Sequence, residues 1–253
     1  MLNVKMIYKV WYRNLIVWTK YIKPSLVANL GEPLLYLLLM GYGMGKLVPE
    51  INGIKYIDFL APGLILSSAM YAASFEATIS SYTRMITQKT YDAIMVTPVN
   101  LSEIVSGEIL WSTTKGLISS VFFVAIMAMF GLVHSWIFIV SIVAVIMDGL
   151  FFSALSMVFV GFSHSYEFFN YFFTLILTPF FLFSGIFFPI DTLPEWIRHI
   201  ALYMPLTPMV DLARMSNNGI MDYKALVLSL IMGTLSIPMG MLSYKLIKKR
   251  LIK

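Results

Sequence analysis

The sequence predicts an all-α integral membrane protein. It has six transmembrane helices, an N-terminal amphipathic interface helix, and re-entrant outer helices between spans 5 and 6. Three observations predict this class. The 253 residues are 59% hydrophobic and only 12% charged, with a mean hydropathy of +0.82. A soluble domain carries about twice that share of charge. This chain cannot cover a core with polar surface, which excludes a soluble globular enzyme, a disordered protein and a nucleic-acid-binding domain. Apolar stretches of spanning length recur, and at about 20 residues each the chain accommodates roughly five to seven. Finally, ten of the 18 Lys and Arg lie in the two terminal segments.

Residues 1–23 read as an amphipathic helix. Val4, Ile7, Tyr8, Trp11, Leu15, Trp18 and Ile22 recur every three or four positions, while Lys5, Lys9, Arg13, Lys20 and Lys23 lie mostly off that stripe. A basic helix with Trp on its apolar side suits the headgroup layer. No small-residue cleavage site follows it, so no cleavable signal peptide is expected. Span 1 is placed at 26–45, with Glu32-Pro33 in its first part, where Pro is tolerated. Span 2 is placed at 57–82, span 3 at 108–131, span 4 at 136–162, span 5 at 168–188 and span 6 at 224–245. Pro189, Pro194, Pro205 and Pro208 punctuate 189–223. That stretch is too broken to span, and it reads as one or two short helices dipping back into the interface.

Six spans put both termini on one side. The basic N-terminal segment and the C-terminal Lys245, Lys248, Lys249, Arg250 and Lys253 then predict a cytoplasmic location for both. Arg84 and Lys89 fall in a loop on the same side.

Few residues invite chemistry. With no Cys, disulfides, zinc thiolates and iron–sulfur sites are excluded. Gly45-Lys46-Leu47 imitates a phosphate loop, but Met40 replaces its first Gly and Leu47 its Ser or Thr. Gly41 and Gly45 instead form a G-x-x-x-G pair for close helix packing, read as a dimer contact. His134, His164 and His199 fall in separate loops, and no metal site is expected. Glu76 and Lys115 each lie about 6 Å below the same interface and are expected either to pair or, for Lys115, to snorkel alone. Asp148, near the middle of span 4, takes either a hydrogen bond from a Ser or Tyr of another span or a place on a transport path. The aromatic residues of span 5, among them Phe172, Phe173 and Phe180, either face lipid or line such a path. No catalytic constellation is present.

Two stretches carry a family pattern. The first runs from Arg84-Met85-Ile86-Thr87-Gln88-Lys89-Thr90-Tyr91-Asp92 to Thr97-Pro98, followed by Glu103, Glu108 and Trp111. The second runs from Ser184-Gly185-Ile186-Phe187-Phe188-Pro189 through Pro194-Glu195-Trp196 to Met204-Pro205-Leu206-Thr207-Pro208. Both resemble the type-2 ABC exporter permeases. Phe59-Leu60-Ala61-Pro62-Gly63 and Phe75-Glu76-Ala77-Thr78 look closest to the nodulation-factor exporter (NodJ-like) branch, beside drug and polysaccharide exporters. The resemblance covers nearly all of residues 1–253, read as one transmembrane domain.

The resemblance implies a non-enzymatic permease. It would work with a second copy or a homologous permease and with two separate ATPase subunits, which bind the ATP and Mg. This chain would bind no cofactor and no nucleic acid. The substrate would be amphipathic: a lipid-linked glycan, a lipo-oligosaccharide or a hydrophobic drug. It also implies that 84–98 is a cytoplasmic coupling segment, in which Arg84, Gln88, Lys89, Tyr91 and Asp92 engage the ATPase. Pro98 breaks that segment, and Asn100 with Glu103 reads as a capping-box start to the next helix. The competing class, an ion-gradient-driven transporter or channel, needs a series of buried ionisable groups, of which Asp148 is one.

Overall fold

The computed structural model describes residues 2–48, 50, 51 and 53–251. Pro49 and Asn52 of the first outer loop, and Lys253 of the basic C-terminal segment, lie outside the described residues. Helix α1 (Val4–Thr19) starts at Asn3, whose side chain accepts the Lys5 N–H at 3.0 Å. Helix α2 (Ile22–Leu38) runs into a wide π turn at Leu39–Gly43. A hairpin of β1 (Glu50–Ile51) and β2 (Ile54–Lys55) pairs Glu50 with Lys55 and delivers the chain to α3 (Tyr56–Thr87). Then come α4 (Thr90–Met95), α5 (Leu101–Met129), α6 (Trp136–Phe162) and α7 (Glu167–Phe183). Two short helices, α8 (Glu195–Leu202) and α9 (Leu206–Asn217), precede α10 (Tyr223–Leu251).

Four of these helices, α3, α5, α6 and α10, are long and apolar enough to cross a membrane. Of the two other expected spans, α7 is a shorter apolar helix and α2 has 17 residues before its π turn. α3 is the axis of the bundle. Every residue from Phe59 to Ser74 except Tyr71 is buried, because its run of Gly, Ala, Ser and aliphatic residues leaves no polar face to solvate. α5 lies against it at Gly116, where a Cβ would stand 2.9 Å from the Ala69 carbonyl oxygen. Only glycine permits that spacing.

α5 begins at Leu101, seven residues before the span at 108, where Asn100 and Glu103 close the expected capping box with the Asn100 N–H donating to Glu103 Oε2 at 2.8 Å. Two boundaries depart from expectation for local reasons. α7 stops at Phe183, short of 188, because the chain turns through Gly185 at φ +75°. α3 runs to Thr87 through two π turns, at Glu76–Ser80 and Thr83–Thr87, so it takes in Arg84. The helix within the expected 84–98 segment is therefore only α4.

The two glycines of the Gly41–Gly45 pair differ. A Cβ on Gly41 would meet Ile57 Cγ1 of the same chain at 2.9 Å, whereas the nearest atom to one on Gly45 is Tyr56 Cβ at 4.0 Å. The hairpin folds the first turn of α3 onto the end of α2, so the close approach at Gly41 is made within the chain.

Within 189–223, α9 is docked on the bundle, whereas α8 buries only Ala201. In α9, Leu206, Met209, Val210, Leu212 and Ala213 are all fully buried. Arg214 is buried with them. Its Nε donates to the Phe59 carbonyl at 3.1 Å and its Nη2 to the Gly185 carbonyl at 2.7 Å, with the guanidinium 3.7 Å from the Phe59 ring centroid. Burial pulls the Arg214 pKa down to about 10, opposed by Asp211, so the group stays charged at neutral pH.

Candidate functional site

The polar chemistry of the chain gathers at the end of the bundle that carries α1 and α4. The last turns of α3 place Ser81 and Arg84 on the side facing α5, and the π turns widen the helix where Glu76 enters. Such turns recur at functional sites. Arg84 grips two carboxylates. Its Nη1 donates to Glu76 Oε1 at 2.9 Å, and its Nε and Nη2 form a fork on Glu108 at 3.1 and 2.5 Å. The Ser81 hydroxyl donates to Glu108 Oε2 at 3.0 Å and the Trp111 indole N–H to Glu76 Oε1 at 2.9 Å. Glu108 is 1% exposed and Arg84 14%, so this triad is a desolvated, hydrogen-bonded network.

α4 stands on this network. Tyr91 is completely buried beneath it, and its phenol pKa is raised well above the ordinary value by burial, with the Glu108 charge adding to the effect. Gln88, Lys89 and Asp92 are exposed on the other side. Lys89 begins the helix in a left-handed conformation, φ +53°, a strained state for a residue with a Cβ. The five coupling candidates thus separate. Arg84 is mostly buried and ties α3 to α5, Tyr91 packs α4 onto Tyr82, Met85 and Ile104 of the same two helices, and Gln88, Lys89 and Asp92 are exposed.

α1 closes the side of the site. Val10 presses onto Gly107 of α5, and Trp11 and Trp18 meet Trp111 edge-on at 6.5 and 6.0 Å. Part of the stripe expected to face lipid is therefore packed on protein, while Val4 and Tyr8 are exposed. The Asn3 N–H donates to Glu103 Oε1 at 3.1 Å, so one buried carboxylate ties the starts of α1 and α5 together. Burial lowers the Arg13 pKa, and the Glu108 charge opposes that.

The expected Glu76–Lys115 pair is not formed. Glu76 is taken by Arg84 and Trp111, while Lys115 donates to the Ser25 hydroxyl and lies 5.1 Å from the centroid of the Trp18 ring. Lys115 is 5% exposed, so it does not snorkel either. Asp148 departs from both of its readings. It is 0% exposed, so it lines no open path in this conformation, and neither carboxyl oxygen has a hydrogen-bond partner among the described residues. Phe172 and Phe180 also leave the path. Their rings pack on Phe159 and Phe152 of α6 at 4.5 and 5.4 Å, joining α7 to the core. Phe173 is half-buried and borders a cleft of about 380 Å³ with Glu32, Tyr71 and Asn170.

Sequence reasoning gave no site role to Glu108, Ser81, Trp111 or Arg214. For Glu108 the signal was present: a helix capped at Asn100 carries it two turns inward, onto the level of Arg84. For Arg214 there was none, since a lone arginine in a proline-rich segment reads as solvated.

Residues 7–217 match the protein family described as ABC-2 type transporter. The chain is 36% identical over 205 residues to nodulation protein J of Rhizobium leguminosarum bv. viciae, covering 81% of this chain and 79% of that protein. It is 35% identical over 206 residues to nodulation protein J of Rhizobium meliloti (strain 1021), covering 81% and 78%. It is 24% identical over 213 residues to the inner membrane transport permease YadH of Escherichia coli (strain K12), covering 83% and 80%.

Proposed function

The chain belongs to the ABC-2 type transporter family, and from that premise we propose that it is the permease subunit of an ATP-driven exporter. Two permease subunits, identical or homologous, pair in the cell (inner) membrane with two separate ATPase subunits, which hold the ATP and Mg. α2 and α7 complete a set of six spans. Both termini lie in the cytoplasm, and α8 and α9 form the re-entrant outer element. The cargo is an amphipathic molecule, a lipid-linked glycan, lipo-oligosaccharide or hydrophobic drug, moved outward. The likeness to nodulation protein J and to an inner membrane transport permease supports this placement.

One observation carries the reading: α4 is fastened from beneath and free above. Tyr91 seats it in a buried apolar cluster with Tyr82 and Met85 of α3 and Ile104 of α5, the Arg84 triad ties those two helices together beside it, and Gln88, Lys89 and Asp92 are exposed. A short helix seated in an ATPase cleft and braced in this way transmits displacement to two spanning helices without dissipating it in a loop. ATP binding and hydrolysis on the partner then bias the exposure of a path between the two permeases. This chain performs no bond chemistry.

The test is co-purification of the full chain with its ATPase, followed by reconstitution in liposomes. Lys89→Glu and Asp92→Lys are expected to leave membrane insertion intact, while transport and the stimulation of ATP hydrolysis by the permease fall at least tenfold. Transport in liposomes that lack both ATPase and nucleotide overturns the exporter reading.

A further inference from the structure

A cavity of about 450 Å³ lies beside the triad, where α1, the start of α2, α3 and α5 meet. Its charge accounting does not close. Arg84 is consumed by Glu76 and Glu108. Arg13 and Lys115 also line the cavity, and neither has an ion-pair partner among the described residues. Lys115 is 5% exposed and is met only by the Ser25 hydroxyl and the Trp18 ring. An ammonium has three donors, so such a group is under-compensated at this depth. Asn14 is 3% exposed. Its Oδ1 accepts from Arg13 at 3.0 Å, and its Nδ2 is buried with no partner among the described residues. The carboxylate in the wall, Glu76, already accepts two donors at Oε1.

The rim has the opposite character. Val17, Tyr21 and Phe75 border the cavity and are 46%, 61% and 49% exposed. Uncompensated donors inside and apolar side chains at the mouth describe an amphiphile: an anionic head with an apolar tail. We propose that this cavity binds the phosphate headgroup of an anionic phospholipid from the surrounding leaflet. Arg13 and Lys115 supply charge, Asn14 Oδ1 positions the Arg13 guanidinium by accepting from it, and the acyl chains leave past Val17, Tyr21 and Phe75. The site is independent of the transport reading, because a bound lipid is retained whether or not an ATPase acts. It also gives α1 a role beyond lying in the interface, since lipid occupancy fastens α1 to α3 and α5 through the head.

The test is a binding titration of the purified full chain in neutral detergent, read by native mass spectrometry. Dioctanoylphosphatidylglycerol, dioctanoylphosphatidylcholine and inorganic phosphate are compared. The phosphatidylglycerol is expected to bind at least tenfold more tightly than the phosphatidylcholine, and millimolar phosphate is expected not to displace it. Arg13→Gln and Asn14→Leu should each weaken phosphatidylglycerol roughly tenfold or more, as expected for a lost charge-assisted hydrogen bond. Lys9→Gln, an equal charge change on the exposed side of α1, should leave binding within twofold. Equal binding of the two lipids overturns the proposal, and so does equal weakening by Lys9→Gln and Arg13→Gln. Displacement by inorganic phosphate overturns the amphiphile. If Asn14→Leu fails to fold, Arg13→Gln against Lys9→Gln decides alone.

Discussion

Replacing Arg84 with Met isolates the contribution of the buried triad. The substitution keeps an unbranched apolar stem and removes three hydrogen bonds to the carboxylates, at 2.5, 2.9 and 3.1 Å, and a fourth to the Ser81 hydroxyl at 3.2 Å. Glu108 is left with the Ser81 hydroxyl and Glu76 with the Trp111 N–H, one neutral donor each. At about 1.5–3 kcal/mol per bond to a charged group, the loss over the three carboxylate bonds is about 4.5 kcal/mol at the low end. Breaking a buried ion pair from one side costs about 3–5 kcal/mol by an independent route. The expected destabilisation is therefore about 3–5 kcal/mol, measured by denaturant unfolding of the purified protein in detergent. The triple variant Glu76→Gln/Arg84→Met/Glu108→Gln removes all three charges together and should recover more than half of that loss. Arg84→Lys should recover little, because an ammonium cannot fork onto Glu108 while holding Glu76. A loss below about 1 kcal/mol for Arg84→Met, or a triple variant no better than the single one, refutes the claim that the charges are held at low dielectric.

Gly116→Ala places a methyl 2.9 Å from a backbone oxygen that cannot rotate away. It should cost about 1–3 kcal/mol in the same unfolding assay, and a neutral outcome would mean that α3 and α5 slide freely. Arg214→Met leaves the Phe59 and Gly185 carbonyls without their donor and should lower stability by about 3 kcal/mol or more. Limited proteolysis should then cut first between residues 189 and 223. Asp148→Leu removes a buried carboxyl that satisfies neither oxygen. The melting temperature should hold or rise, and a loss above about 2 kcal/mol would require a partner for this side chain. Should transport vanish from such a stable variant, Asp148 acts in a conformation other than this one.

How much of this was legible depends on the range of the interaction. Composition and apolar period located the helices, and Asn100 with Glu103 gave the capping box from four consecutive residues. The split within the coupling segment was not legible. Arg84 and Gln88 differ by one helical turn, and only the π turns of α3 decide that the first turns inward. No local rule signals a π turn. The Glu76–Lys115 pairing failed for a related reason. Both residues line one cavity, but a shared level does not fix the angle around the helix, and Arg84 takes Glu76. The aromatic residues of α7 look alike in sequence, so which rings meet α6 had to come from packing. Gly41 was read as a close-approach site, but a small residue does not say which helix approaches.

α3 has an arginine at each end, and the two arginines do different work. At one end its own Arg84 reaches out to α5. At the other, Arg214 of α9 reaches in to the Phe59 carbonyl and joins it to Gly185 beyond α7. Between them the 32 residues of α3 span about 48 Å, close-packed from Phe59 to Ser74 apart from Tyr71. Such interiors move as bodies rather than deform gradually. In the proposed lever α3 is consequently the shaft: a displacement received at α4 is delivered to α9 with little loss along the way. Arg84→Met and Arg214→Met then damage opposite ends of one transmission. If the lever operates, their effects on coupling are less than additive while their effects on stability, at sites this far apart, simply add. Additive loss in both would mean that the two ends of α3 work independently and that the path is opened by some other helix.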